Sequence, residues 1–176
     1  MKKFLIAAFV VLLVLISTSV IYTYPRQLAL SIEGVEYQLG AGQHHANPVR
    51  IQIDGQLRRG LTGRRTFRGI ISIEGTSVPN SDNRRQLKIE FGTNGQGLIQ
   101  YAYFKNGTPI IYTYGSIFAN NNFSNITIQE FRINKNDEGW NAANGLMISG
   151  PANNRSQALN ISNELMKSWL QGYTLR

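Results

Sequence analysis

Six arginines fall between Val49 and Gly75, at positions 50, 58, 59, 64, 65 and 68, and only Asp54 and Glu74 oppose them there. A guanidinium stays charged and forks onto phosphate or carboxylate oxygens through parallel hydrogen bonds. Arg58, Arg59, Arg64, Arg65 and Arg68 are near enough in sequence to act together, and the chemistry they offer is anion binding. The competing reading is a solvated strand edge whose charges keep the sheet from pairing with other molecules.

Two strands must carry these arginines. Val49, Ile51, Ile53 and Leu57 share one phase of a period-2 pattern, with Arg50, Gln52, Asp54 and Arg58 on the other. Phe67, Ile71 and Ile73 repeat the pattern against Arg68, Ser72 and Glu74, and Gly69 stands in the apolar phase, where it marks a bulge or a close contact. Between them Arg58 to Arg65 holds two glycines and no apolar run, so a basic hairpin tip is predicted.

Tyr101, Tyr103, Tyr112 and Tyr114 flank Asn106-Gly107, a strong hairpin turn signal. The tyrosines are expected to pair across that hairpin as half-buried sheet surface; the sharper reading is an exposed aromatic platform for a sugar ring. His44-His45 are the only histidines, and adjacent in a loop without a placed carboxylate they do not predict a metal site. Asp137-Glu138 read as solvated loop charge. Nucleophile-elbow, zinc-protease and phosphate-loop motifs are absent from the sequence, so no catalytic residue and no cofactor is predicted. There is no cysteine, which excludes disulfides, thiolate zinc and a nucleophilic thiol.

The chain has 176 residues and a formal net charge of +8. Lys2-Lys3 precede an apolar stretch from Phe4 to Tyr22 interrupted only by Ser17-Thr18-Ser19. As a helix it would span about 28 Å, close to a bilayer core of about 30 Å. Residues 1–24 are therefore predicted to be a signal anchor, with residues 4–22 in the membrane, the N-terminus cytoplasmic and the rest exported. The alternative is a signal peptide cleaved after the small residues Ser17 and Ser19, which would leave the domain secreted. Export disfavours nucleic acid as the partner of the positive charge.

Residues 25–176 read as one extracytoplasmic domain. Short alternating stretches recur at residues 28–32, 35–39, 49–58, 67–73, 87–91, 98–104, 110–118 and 146–149. Residues 126–133 need a bulge near Gln129–Glu130 to keep phase, while Thr76 to Arg85, Ala119 to Asn125 and Asn134 to Asn144 read as loops. One helix, about 154–171, is predicted at the end, with Asn154 as N-cap, Gln157 in a capping box, Ala158, Ile161, Leu165 and Trp169 as its apolar stripe, widened by Met166 and Leu170, and Gly172 after it. The fold class expected is mainly β: an antiparallel sandwich or partly open barrel of seven to nine strands with a C-terminal helix.

Ile51-x-Ile-x-Gly55, Phe67-x-Gly69-x-Ile71-x-Ile73 and Gly145-Leu-Met-Ile-Ser-Gly-Pro-Ala-Asn-Asn-Arg155, leading to Gln157-Ala158-Leu159, resemble a group of small membrane-anchored extracytoplasmic proteins of Firmicute bacteria. The likeness runs from the lysine-flanked anchor to the last helix. Members often carry an acidic residue in place of Gln157 and alanine in place of Gly150. The resemblance implies a Gram-positive envelope setting and brings no activity or catalytic residues. The functional expectation is a non-enzymatic, membrane-anchored envelope domain whose arginine hairpin contacts anionic wall polymer or lipid headgroups. The alternatives are an accessory domain for a membrane protein partner and an enzyme acting on envelope glycans.

Overall fold

In the computed structural model, the alternating stretches form an eight-stranded antiparallel sheet curled into a nearly closed barrel. It describes residues 2–40, 42, 45–75, 86–134 and 137–176, with the backbone alone at 103, 105, 132–134, 137 and 138. Helix α1 (Lys2–Thr23) leads into β1 (Arg26–Gln38), β2 (Ala46–Arg59), β3 (Arg65–Ile73), β4 (Leu87–Phe91), β5 (Gln96–Lys105), β6 (Thr108–Ala119) and β7 (Ile126–Glu130). A separate hairpin of β8 (Arg132–Asn134) and β9 (Asp137–Gly139) precedes β10 (Leu146–Gly150), α2 (Arg155–Leu165) and α3 (Lys167–Leu170). The sheet order is β4-β3-β2-β1-β10-β7-β6-β5. The edge strands β4 and β5 are joined by a tight turn in which Gly92 N–H donates to Gln96 O at 2.9 Å. Gly97 lies so close to Ile89 and Phe91 that a Cβ would sit 2.4 Å from a methyl of Ile89. The missing side chain lets the two edges meet.

The inward phase of each strand fills the barrel. Ile51, Phe67, Ile89, Ile99, Ile117, Phe123, Ile128 and Ile148 are all buried in one cluster, each contributing about 1.5–3 kcal/mol of apolar burial before chain entropy opposes it. Gly55 and Gly69 pair directly across β2 and β3. A Cβ on Gly69 would fall 2.2 Å from Asp54 O, so the glycine marks a close backbone contact. Gly34 does not end a strand as its position suggests. It sits inside β1, where a Cβ would lie 2.7 Å from Ser149 O, and allows β10 to approach.

A second cluster fills the space between the outer face of β1, β10 and β7 and the C-terminal helices, with Tyr37, Met147, Ala158 and Met166 buried in it. Asn154 caps α2 as predicted, its Oδ1 accepting from Gln157 N at 3.0 Å. The return bond goes one residue earlier, from Asn153 N to Gln157 Oε1 at 2.9 Å. The single predicted helix is broken at Met166, where the backbone leaves helical angles (φ −92°, ψ 3°). Of the expected stripe Ala158, Met166 and Leu170 are buried, joined by Ser162, while Ile161 and Leu165 are half-buried and Trp169 is exposed. Ser162 explains the rotation. Its hydroxyl lies 2.6 Å from Tyr37 Oη, 2.7 Å from Ser149 Oγ and 3.0 Å from Thr127 Oγ1, so four buried hydroxyls satisfy one another beneath the helix.

Asp137 to Gly139, read as part of the loop from Asn134 to Asn144, form β9, which pairs antiparallel with β8. The phase change expected near Gln129–Glu130 is a break at Phe131 between β7 and β8, and the bulge lies instead on β6, which steps from Gly115 to Thr113 opposite Ile99 and Gln100. The stretch from Thr76 to Arg85 lies outside the described residues. Helix α1 is long and apolar enough to span a membrane or serve as a signal anchor. None of its residues is buried, so the barrel core is complete without it.

Candidate functional site

Strand direction places the arginines at one end of the barrel. β1 starts three residues after α1 ends, so Arg26 stands within about 10 Å of Thr23 along the chain. β2 returns antiparallel, and Leu57 pairs with Arg26. The β2–β3 turn, Gly60 to Arg64, is therefore at the end where α1 leaves. The β4–β5 turn and the loop from Asn120 to Asn125 close the same end: Arg65 pairs with Phe91, and Ala119 N–H donates to Gly95 O at 3.1 Å.

The five arginines divide into two kinds. Arg65 is 5% exposed. It donates to Asn120 O at 2.5 Å and Ala119 O at 2.8 Å, and its guanidinium carbon lies 5.1 Å from the Phe91 ring centroid. Burial, with the charge of Arg59 adding to it, holds its pKa below the usual guanidinium value. It ties the end of the barrel together and offers no face to a ligand. Arg59 is half-buried and donates to Asn121 O at 3.0 Å. Arg58, Arg64 and Arg68 are exposed. Arg50, further along β2, is ion-paired to Glu33 at 2.8 Å and near Glu74 at 3.9 Å.

Arg58 and Arg68 line a shallow groove of about 300 Å³ on the outer face of β2, β3 and β4, with Gln56, Thr66, Lys88, Glu90 and Pro25. Register sets its charge pattern. Gln56, Arg68 and Lys88 form one cross-strand row, and Arg58, Thr66 and Glu90 the next. Arg68 therefore stands directly opposite Lys88, an arrangement of like charges that destabilises a sheet unless an anion lies between. Lys88 is paired with Glu90 on its own strand at 2.5 Å. That bond and the lysine's charge, with the fields of Arg64 and Arg68, hold the Glu90 carboxyl below its usual range. Among the described residues neither Arg58 nor Arg68 has an ion-pair partner. Two free guanidinium forks on one face can take a phosphodiester or a carboxylate.

Tyr101, Tyr112 and Tyr114 do not form an exposed platform. Tyr101 and Tyr114 are each 3% exposed and face the barrel core, and Tyr112 packs against it. Tyr101 pairs with Tyr112, ring centroids 6.5 Å apart, while the bulge moves Tyr114 out of the pairing pattern. Burial, then the proximity of Tyr112, pushes the Tyr101 phenol up to about 12. The side chain of Tyr103 lies outside the described residues, as do His44 and the side chains of Asp137 and Glu138. His45 meets Glu36 at 3.0 Å. Among the described residues no three or more His, Cys, Asp or Glu side chains gather as a metal site.

Of the groove members, sequence reading assigned Arg58 and Arg68 and not Pro25, Gln56, Thr66, Lys88 or Glu90. The alternation of Lys88 and Glu90 in β4 was visible, but its placement beside Arg68 depends on strand order. No family model, curated protein or solved structure matches the chain.

Proposed function

We propose that the chain is a single-pass, non-enzymatic domain of the outer membrane face of a Gram-positive cell, and that its groove takes the acidic headgroups of the bilayer anchoring it. The paired lysines Lys2 and Lys3, at the start of α1, favour a cytoplasmic N-terminus. The observation that carries the reading is Pro25. It stands two residues past the end of α1 and forms part of the wall of the groove that holds Arg58, Arg68 and Lys88. A basic groove beside the exit of a membrane helix meets headgroup phosphates before it meets any more distant polymer, which favours lipid over wall polymer.

Flotation of residues 26–176 with phosphatidylglycerol and phosphatidylcholine vesicles, across a salt series, tests this. Binding is expected only to the anionic vesicles and is expected to weaken steeply with salt. Changing Arg58, Arg68 and Lys88 to serine together should weaken it by about a hundredfold, taking about 1 kcal/mol per basic side chain at an anionic surface. Equal binding by the triple variant, or preference for purified wall polymer over vesicles, overturns the reading.

A further inference from the structure

The chain has two tryptophans, and they meet. Trp140, in the connection before β10, and Trp169, on α3, stack edge to face with ring centroids 5.8 Å apart. With Phe131 they wall a cleft of about 360 Å³ on the outer face of β5, β6 and β7. Its floor is Gln96, Ser116 and Gln129. Ser116 and Gln129 are directly paired across β6 and β7. They are 4% and 2% exposed, and among the described residues the amide nitrogen of Gln129 has no hydrogen-bond partner.

A buried donor without a partner is destabilising, and leucine would serve packing better at position 129. The position is explained if the donor serves a ligand. Three properties define that ligand. Among the described residues no side chain lining the cleft is charged, which favours a neutral ligand. At Ser116 and Gln129 the floor belongs to strands paired on both sides in the sheet, so an added peptide strand finds no free backbone edge. Two indoles and a phenyl ring stand beside a hydroxyl and amides, so the ligand carries an apolar face and a rim of hydroxyl or acetamido groups.

We propose that this cleft binds one ring of a neutral sugar. The ring's C–H face lies against Trp169 and Trp140, and its hydroxyl or acetamido groups bond Ser116 and Gln129. The terminal torsion of the glutamine is soft, so its N–H turns into the cleft when a ligand arrives. The site lies on β5 to β7 and the basic groove on β2 to β4, and neither proposal depends on the other.

Because the barrel core is complete without α1, residues 26–176 are suitable for the test, and their tryptophan fluorescence reports this cleft alone. They are titrated with glucose, galactose, mannose, N-acetylglucosamine and triacetylchitotriose. A saturable change in the millimolar range is expected with at least one sugar, stronger with the trisaccharide when N-acetylglucosamine is the match. Gln129→Leu is expected to weaken it by about tenfold or more while the melting temperature stays equal or rises. Trp169→Ala is the second variant: it removes the stacking wall, leaves the floor intact and weakens binding by a similar factor. No saturable change with any of the five sugars, or binding by both variants equal to that of the unaltered domain, overturns the proposal.

Discussion

Arg65 illustrates how one side chain can belong to a charged cluster in sequence and to the scaffold in space. Its neighbours Arg64 and Arg68 are exposed, whereas Arg65 donates to two carbonyls of the opposite wall and stacks near Phe91 and Phe123. The signal for this was present: Arg65 stands two residues before Phe67 and shares its inward phase. A run of basic residues around glycines hid it, because the turn was read as wider than it is. Lysine at this position keeps the charge but loses the planar fork, so Arg65→Lys is expected to lower unfolding free energy by about 1.5–3 kcal/mol. Urea denaturation checks this, and an unchanged midpoint would contradict it. Tyr101 gives a second prediction. Its folded-state pKa is raised to about 12, so its contribution to stability is full below the phenol's ordinary value of about 10 and is lost as pH rises through 12. Tyr37, raised by burial, acts in the same direction. The urea midpoint should stay flat from neutral pH to about 9 and then fall. Tyr101→Phe should match or exceed the parent at neutral pH, since among the described residues the hydroxyl has no hydrogen-bond partner, and should reduce the alkaline fall. An alkaline fall equal in the variant would show that the phenol is not involved.

At the scale of elements, the alternating pattern specified most strands, because each buries one face and a one-residue slip would expose it. Val49 to Leu57, Phe67 to Ile73 and Leu87 to Phe91 are strands in the register their apolar phase demands. What periodicity could not supply was the local departure from it. The β6 bulge, the β8–β9 pairing and the break of the last helix at Met166 are local changes that alternation does not encode. The Gly55–Gly69 pair is the clearest case of an element held by an absence. Glycine in the apolar phase suggested a close contact, and the approach of the two backbones proves to be the reason. Gly69→Ala would force a Cβ into Asp54 O and is expected to destabilise the barrel by about 1–3 kcal/mol. Thermal unfolding checks it. Retention of the parent melting temperature would mean that β2 and β3 can part at that point without loss.

For the whole molecule, the organising fact is that the barrel has two unlike ends. At one, α1 leaves, β1 begins, and the basic hairpin and the loop from Asn120 to Asn125 close the wall. At the other lie the β1–β2 connection and the β5–β6 turn, with Phe104 and Ile111 exposed near its tip. The apolar N-terminal helix and the arginine hairpin were each legible in the sequence, but their juxtaposition was not, since it follows from the pairing of Arg26 with Leu57. Likewise Trp140 and Trp169 carried no joint signal until the chain folded. The chain's lack of cysteine allows the central claim to be tested directly. Thr66→Cys places a label in the groove, and Thr108→Cys places one at the opposite end. Each full-length variant is labelled with a fluorophore and reconstituted in bilayers containing phosphatidylglycerol and a headgroup spin-labelled lipid. The account predicts strong quenching at position 66, more in anionic than in neutral bilayers, and little at position 108. Equal quenching at the two positions, or none at position 66, would contradict it.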